Sequence, residues 1–165
     1  MARWSLAVGG PPLSFDEVFA SDGDVVLDIG FGGGEALIEM AELRPLEHVI
    51  GVDVHTPGVA AVLEAIEARG MRNVRVVEGD VIELFDRIPP ASLSAVRIFF
   101  PDPWPKRRQR GRRLVRPDVM SRMVPLVRAL GTIHIVTDCS NYAVQIAHVC
   151  GDHAGLVGGV VDRPH

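Results

Sequence analysis

Cysteine is scarce: only Cys139 and Cys150 occur in 165 residues, neither in a C-x-x-C pair nor beside a set of metal ligands. That excludes a disulfide framework and a structural zinc site, and two reduced thiols with no metal are the expectation. No run reaches the roughly 18 consecutive apolar residues of a membrane span. The amino terminus "MARWSLAVGGPPLSF" has one early cation but no sustained apolar stretch of signal-peptide kind. The expected location is the cytoplasm. Internal repeats, low-complexity tracts and long linkers are also missing. With 47% hydrophobic and 23% charged residues, the chain fits one domain, 1–165, around one core.

A local absence is more informative. Lys106, Arg107, Arg108, Arg110, Arg112, Arg113 and Arg116 fall within eleven residues that contain no acid, in a chain of net charge −4. Outside them, ten cations face twenty-one acids. An acidic body carrying one basic segment implies a local anionic partner rather than broad binding to polyanions.

Apolar runs rich in β-branched residues alternate with segments of helical spacing. "VVLDI" from Val25, "HVIGVDV" from His48, "VRVVEG" from Val74, "AVRIFF" from Ala95 and "TIHIVTD" from Thr132 read as buried parallel strands. "GEALIEMAEL" from Gly34, "GVAAVLEAIEARG" from Gly58 and "DVMSRMVPLVRAL" from Asp118 read as helices, the last kinked at Pro125. Such alternation predicts an α/β fold with a mostly parallel sheet, helices on both faces, and ligands beyond the carboxyl ends of the strands.

The first carboxyl-end loop is "DIGFGGGEA". Its glycines at 30, 32 and 34 give D-x-G-x-G-x-G, and the dinucleotide spacing G-x-G-x-x-G fails because Glu35 takes its third position. Asp28 would repel a phosphate and attract a cation, and S-adenosylmethionine supplies both an ammonium and a sulfonium. Asp53, about twenty residues after the glycines, suits the two ribose hydroxyls. Asp80 follows the third strand, within reach of an adenine amine. Singly, the loop reads as a tight turn and each acid as a helix cap or solvated residue. Three acids at successive strand ends, in the order a nucleoside needs them, favour the cofactor.

The fourth strand runs into "FFPDPWPKRRQRGRRL", from Phe99 to Leu114. Pro101 and Pro103 fix φ on both sides of Asp102, which holds the acid and Trp104 in a rigid turn. A planar heterocycle could stack on Trp104 or Phe100 while bonding to Asp102; at least one of Phe99 and Phe100 is better read as core. The basic run that follows reads as a flexible loop, since Gly111 disfavours a continuous helix. It would grip phosphates without reading sequence, leaving the aromatic pocket to select the base.

From about Val25 to Ala147 the chain resembles the bacterial tRNA (guanine-N7)-methyltransferases, which have the Rossmann-like class I S-adenosylmethionine-dependent methyltransferase fold. The resemblance rests on "LDIGFGGG", "GVDVHTPGV", "FFPDPWPKRRQRGRRL" and the Thr137-Asp138 pair. It implies methyl transfer to guanine N7 in tRNA, with S-adenosylhomocysteine as product. Asp28, Asp53 and Asp80 match cofactor positions, the first two often glutamate in the family. Asp102 matches the catalytic acid, Lys106 and Asp138 match substrate positions, and Arg112 and Arg113 match the paired cations. Guanine N7 carries an in-plane lone pair, so Asp102 is expected to orient and to stabilise charge rather than to act as a base.

Departures from the family pattern leave alternatives. A T-[KR]-[FY]-E segment near the family's carboxyl terminus does not occur, and the closing "VVDRPH", with Arg163 and Pro164, resembles only its lead-in. "CSNY" replaces the tryptophan and acid that follow "TD" in many relatives. The expectation is a chain shortened at both ends, with the sheet's last strands missing at one edge. An N-methyltransferase of a small guanine nucleotide or other free heterocycle, or a cofactor-binding relative without turnover, would share the same pocket.

Overall fold

The computed structural model describes residues 3–161. Six strands form one all-parallel sheet: β1 (Ser5–Leu6), β2 (Asp24–Ile29), β3 (Glu47–Asp53), β4 (Val74–Glu78), β5 (Leu93–Phe99) and β6 (Val127–Val136). Their order is β1-β4-β3-β2-β5-β6. The chain therefore steps outward from β2 through β3 to β4, then returns to the other side of β2 with β5. That reversal opens a crevice between the carboxyl ends of β2 and β5, where ligands of open parallel sheets bind.

Both faces of the inner strands β2–β5 are apolar because valine and isoleucine alternate toward opposite sides; β6, expected as a buried strand, has no buried residue because it lies at the sheet edge. On one face Val49, Val74 and Val76 pack with Leu37, Ile38, Val62 and Ile66 of α2 (Glu35–Leu43) and α3 (Thr56–Arg69). On the other, Leu27, Ile50 and Val96 pack with Val119, Met120 and Tyr142. These last residues lie on α5 (Pro117–Met123) and α6 (Ser140–Gly151). The short α1 (Phe15–Phe19) adds Phe19, which stacks on the His48 ring at 4.2 Å. Among the described residues no helix is long and apolar enough to cross a membrane.

Three expectations need correction. The helix expected from Asp118 to Leu130 ends at Met123, a 3-10 turn covers Val124–Leu126, and β6 starts at Val127. Pro125 has no N–H for a helix, and the carbonyls of Pro125 and Leu126 accept from Ala91 and Ser92 on the approach to β5. The basic run is not irregular throughout: Arg107–Arg112 form a 3-10 helix. Finally α6, β1, α1 and α4 (Val81–Leu84) are elements the pattern reading did not name. Among the described residues β6 is an edge strand and no antiparallel strand follows it. Arg163 and Pro164 lie outside the described residues.

Candidate active site

Asp28, one residue before the end of β2, is 3% exposed. Burial pushes its carboxyl up to about 6; Arg97, its ladder partner on β5, lowers it, and Asp53 adds to the rise. Arg97 is itself buried and pairs at 2.5 Å with Glu47 at the start of β3. A buried carboxyl at the floor of the crevice gains from a neighbouring cation, which favours its charged form.

The glycine loop lies above this carboxyl. Gly30, Gly32 and Gly34 have φ of 72, 60 and 86°, left-handed values that other residues reach only with strain. A Cβ on Gly30 or Gly32 would meet nothing within 4 Å, so the loop backbone faces open space. At Gly34 a Cβ would stand 2.0 Å from Val62 Cγ2, so this glycine serves helix packing instead.

Asp53 closes the loop from the next strand. Its Oδ2 accepts from Gly32 N at 2.7 Å and its Oδ1 from His55 N at 2.8 Å. Beside it Val54 is 71% exposed, an apolar surface of the kind an adenine ring would cover. Sequence reasoning missed Val54, whose signal was its place directly after the strand-end acid. Gly58, read as helix and as part of "GVDVHTPGV", was given no contact role: a Cβ there would lie 1.8 Å from Gly32 O, so α3 touches the loop through a glycine. Asp80 does cap a helix, accepting from Ile82 N at 2.9 Å at the start of α4 (Val81–Leu84). That bond uses Oδ1 alone.

Across the crevice, Phe100 N donates to Val136 O at 2.8 Å, extending the ladder by one residue. The chain then turns through Asp102 with positive φ at two bulky residues, Phe100 (52°) and Trp104 (38°). Each such residue costs about 1–3 kcal/mol and persists only where surroundings enforce it. Phe100 faces solvent at 57% exposure, whereas Phe99 is half-buried with its ring edge-on to His134. Asp102 and Asp138 are exposed and follow adjacent strands, β5 and β6.

Of the basic run, Lys106, Arg107, Arg108, Arg110 and Arg112 are exposed, and the Arg112 guanidinium lies 5.0 Å from the Trp104 ring centroid. Arg113 is not part of that surface, contrary to its expected substrate role. It is 1% exposed and bonded to Pro103 O, Gln145 and Asn141. Arg116 is half-committed as well, to Asp118 at 2.8 Å. The structure thus brings Asp28, Asp53, Asp80, Asp102 and Asp138 to the carboxyl-end rim of the sheet, with Trp104 and the exposed cations following Asp102 in the chain. Arg113 is the member it removes.

Residues 22–158 match the family described as "Putative methyltransferase". The tRNA (guanine-N(7)-)-methyltransferase of Nitrosococcus oceani is 38% identical over 155 residues, which are 93% of this chain and 66% of that protein. Its counterpart from Marinobacter nauticus is 38% identical over 169 residues, 99% of this chain and 71% of that protein. The chain spans about two thirds of the length of these relatives. Among solved structures, the precorrin-6y C5,15-methyltransferase of Geobacter metallireducens superposes with a TM-score of 0.64 at 20% identity, covering 84% of this chain and 71% of that one. This likeness shows the Rossmann-like methyltransferase fold.

Proposed function

The chain belongs to the tRNA (guanine-N7)-methyltransferase family, and from that premise we propose that it methylates N7 of a guanine in tRNA with S-adenosylmethionine as donor. The observation that carries the reading is the pairing, across one crevice, of a cation-seating glycine loop at β2 with the strained Asp102 turn at β5.

The residues present fit the donor. Asp28 offers a buried carboxylate to its ammonium, Gly30 and Gly32 leave room for close backbone approach, and Asp53 faces the ribose beside the apolar Val54. When bound, S-adenosylmethionine supplies a methyl group on a positively charged sulfur. Trp104 and Phe100 present aromatic surface to the guanine, and Asp102 accepts from its amino or imino hydrogens, aiming the N7 lone pair into the crevice. N7 needs no deprotonation, so Asp102 works as an orienting group and as a negative charge beside a ring that becomes positive. Lys106 and Asp138 bind from the adjoining loops. Arg112 and the exposed cations of segment 106–116 hold phosphates, a contact that positions the RNA without reading its sequence. We place this protein in the cytoplasm with its RNA.

Transfer of a radiolabelled methyl group, offered in parallel to unmodified bulk tRNA and to GMP, tests the proposal. The expected product is labelled 7-methylguanine in tRNA, with binding that weakens steeply as salt rises. Label confined to GMP, or tRNA binding indifferent to salt, would overturn the assignment of tRNA as substrate.

A further inference from the structure

Arg113 is a buried cation whose partners are all neutral. Its Nε donates to Pro103 O at 2.7 Å, Nη1 to Gln145 Oε1 at 2.7 Å and Nη2 to Asn141 Oδ1 at 3.0 Å. Its guanidinium carbon lies 4.6 Å from the Tyr142 ring centroid. Dehydrating a guanidinium is costly unless its donors are matched, and here the match comes from two separate pieces of the candidate site.

One piece is the Asp102 turn. Pro103 is the residue between Asp102 and Trp104, so the Arg113 bond holds the turn from its downstream side, as the Phe100–Val136 bond holds it upstream. Among the described residues the Asp102 carboxylate has no hydrogen-bond partner, so the backbone on either side sets its place. The other piece is α6, which begins two residues after Asp138. Asn141 and Gln145 lie one turn apart on the same helix face. Two further bonds dock the strand of chain after Arg113 on that face: Val115 N to Tyr142 Oη and Gln145 Nε2 to Val115 O, both 2.9 Å.

We propose that Arg113 is a positioning residue that fixes the Asp102 turn to the start of α6, so that Asp102 and Asp138, from two different strand ends, face one base. This rests on the substrate reading above. It separates the two neighbouring arginines by role: Arg112 faces the RNA, and Arg113 acts through Pro103.

The test compares Arg113→Gln, Arg113→Lys and the double variant Asn141→Ala/Gln145→Ala with Arg112→Ala. Misplacement of a reacting group by about 1 Å costs up to ~100-fold in rate, so Arg113→Gln and the double variant should lose roughly 10- to 100-fold in kcat. KM for tRNA and Kd for S-adenosylhomocysteine should stay unchanged, and Arg113→Lys should recover part of the rate. Arg112→Ala should instead raise KM for tRNA. A raised KM with intact kcat in Arg113→Gln would return this residue to the RNA surface and overturn the proposal. So would a loss of kcat that Arg113→Lys does not relieve and that follows a fall in Tm. If the wild-type chain transfers no methyl group, the substrate reading fails separately. Trp104 emission, read in a Trp4→Phe background, then decides the inference: Arg113→Gln should shift it, and an unchanged spectrum overturns the clamp.

Discussion

Gly58 of α3 abuts Gly32 of the glycine loop so closely that a methyl group on the first would stand 1.8 Å from the carbonyl oxygen of the second. The helix and the loop are therefore one mechanical unit, and the unit depends on a missing side chain. Gly58→Ala must push the loop or the helix aside. We expect a loss of roughly 1–3 kcal/mol, the usual range for overpacking, and weaker binding of S-adenosylhomocysteine by calorimetry. Unchanged binding would mean the loop yields freely.

Asp28 predicts a conflict between stability and binding. Its carboxyl rises from 3.8 to about 6 on folding, so between these values the folded chain holds a proton that the unfolded chain releases. Stability therefore falls as pH rises through that window, and above pH 6 the penalty is complete, on the order of 3 kcal/mol. Asp28→Asn should melt higher than the wild type at pH 8, match it near pH 4, and lose affinity for S-adenosylhomocysteine. A lower Tm at pH 8 would contradict this account. In the wild type, binding an ammonium beside Asp28 should release a proton when measured near pH 6.

Asp53 and Asp102 should separate cleanly by assay. Asp53→Ala removes charged hydrogen bonds worth roughly 1.5–3 kcal/mol, so cofactor binding should weaken about 10- to 100-fold. Asp102→Ala should leave that binding intact while methyl transfer drops by on the order of 10²- to 10³-fold, the scale of losing one stabiliser of developing charge. The opposite pattern would exchange the two roles.

The strands, the glycine loop and the strand-end acids were legible because each has a local signature: continuous valine and isoleucine, a D-x-G-x-G-x-G turn, an acid at a fixed offset. Arg113 was not, since its sequence neighbours are all solvated cations and its burial depends on Asn141 and Gln145, some thirty residues away. The error after Met123 has a similar source. "MVPLVRAL" has helical spacing, but Pro125 and the carbonyl bonds to Ala91 and Ser92 draw the segment into the sheet. Gly58 hid inside a helical pattern, where nothing local marks it as a contact.

Asp53 is already ordered in the folded chain. Each of its oxygens holds one backbone N–H, so the side chain has no rotamer freedom left to lose when a nucleoside docks. Immobilising a side chain at an interface costs about 0.5–1.5 kcal/mol, and here folding has met that cost in advance. Affinity differences among adenosine analogues at this carboxylate will therefore report the hydroxyl contacts themselves, with no ordering entropy to mask them.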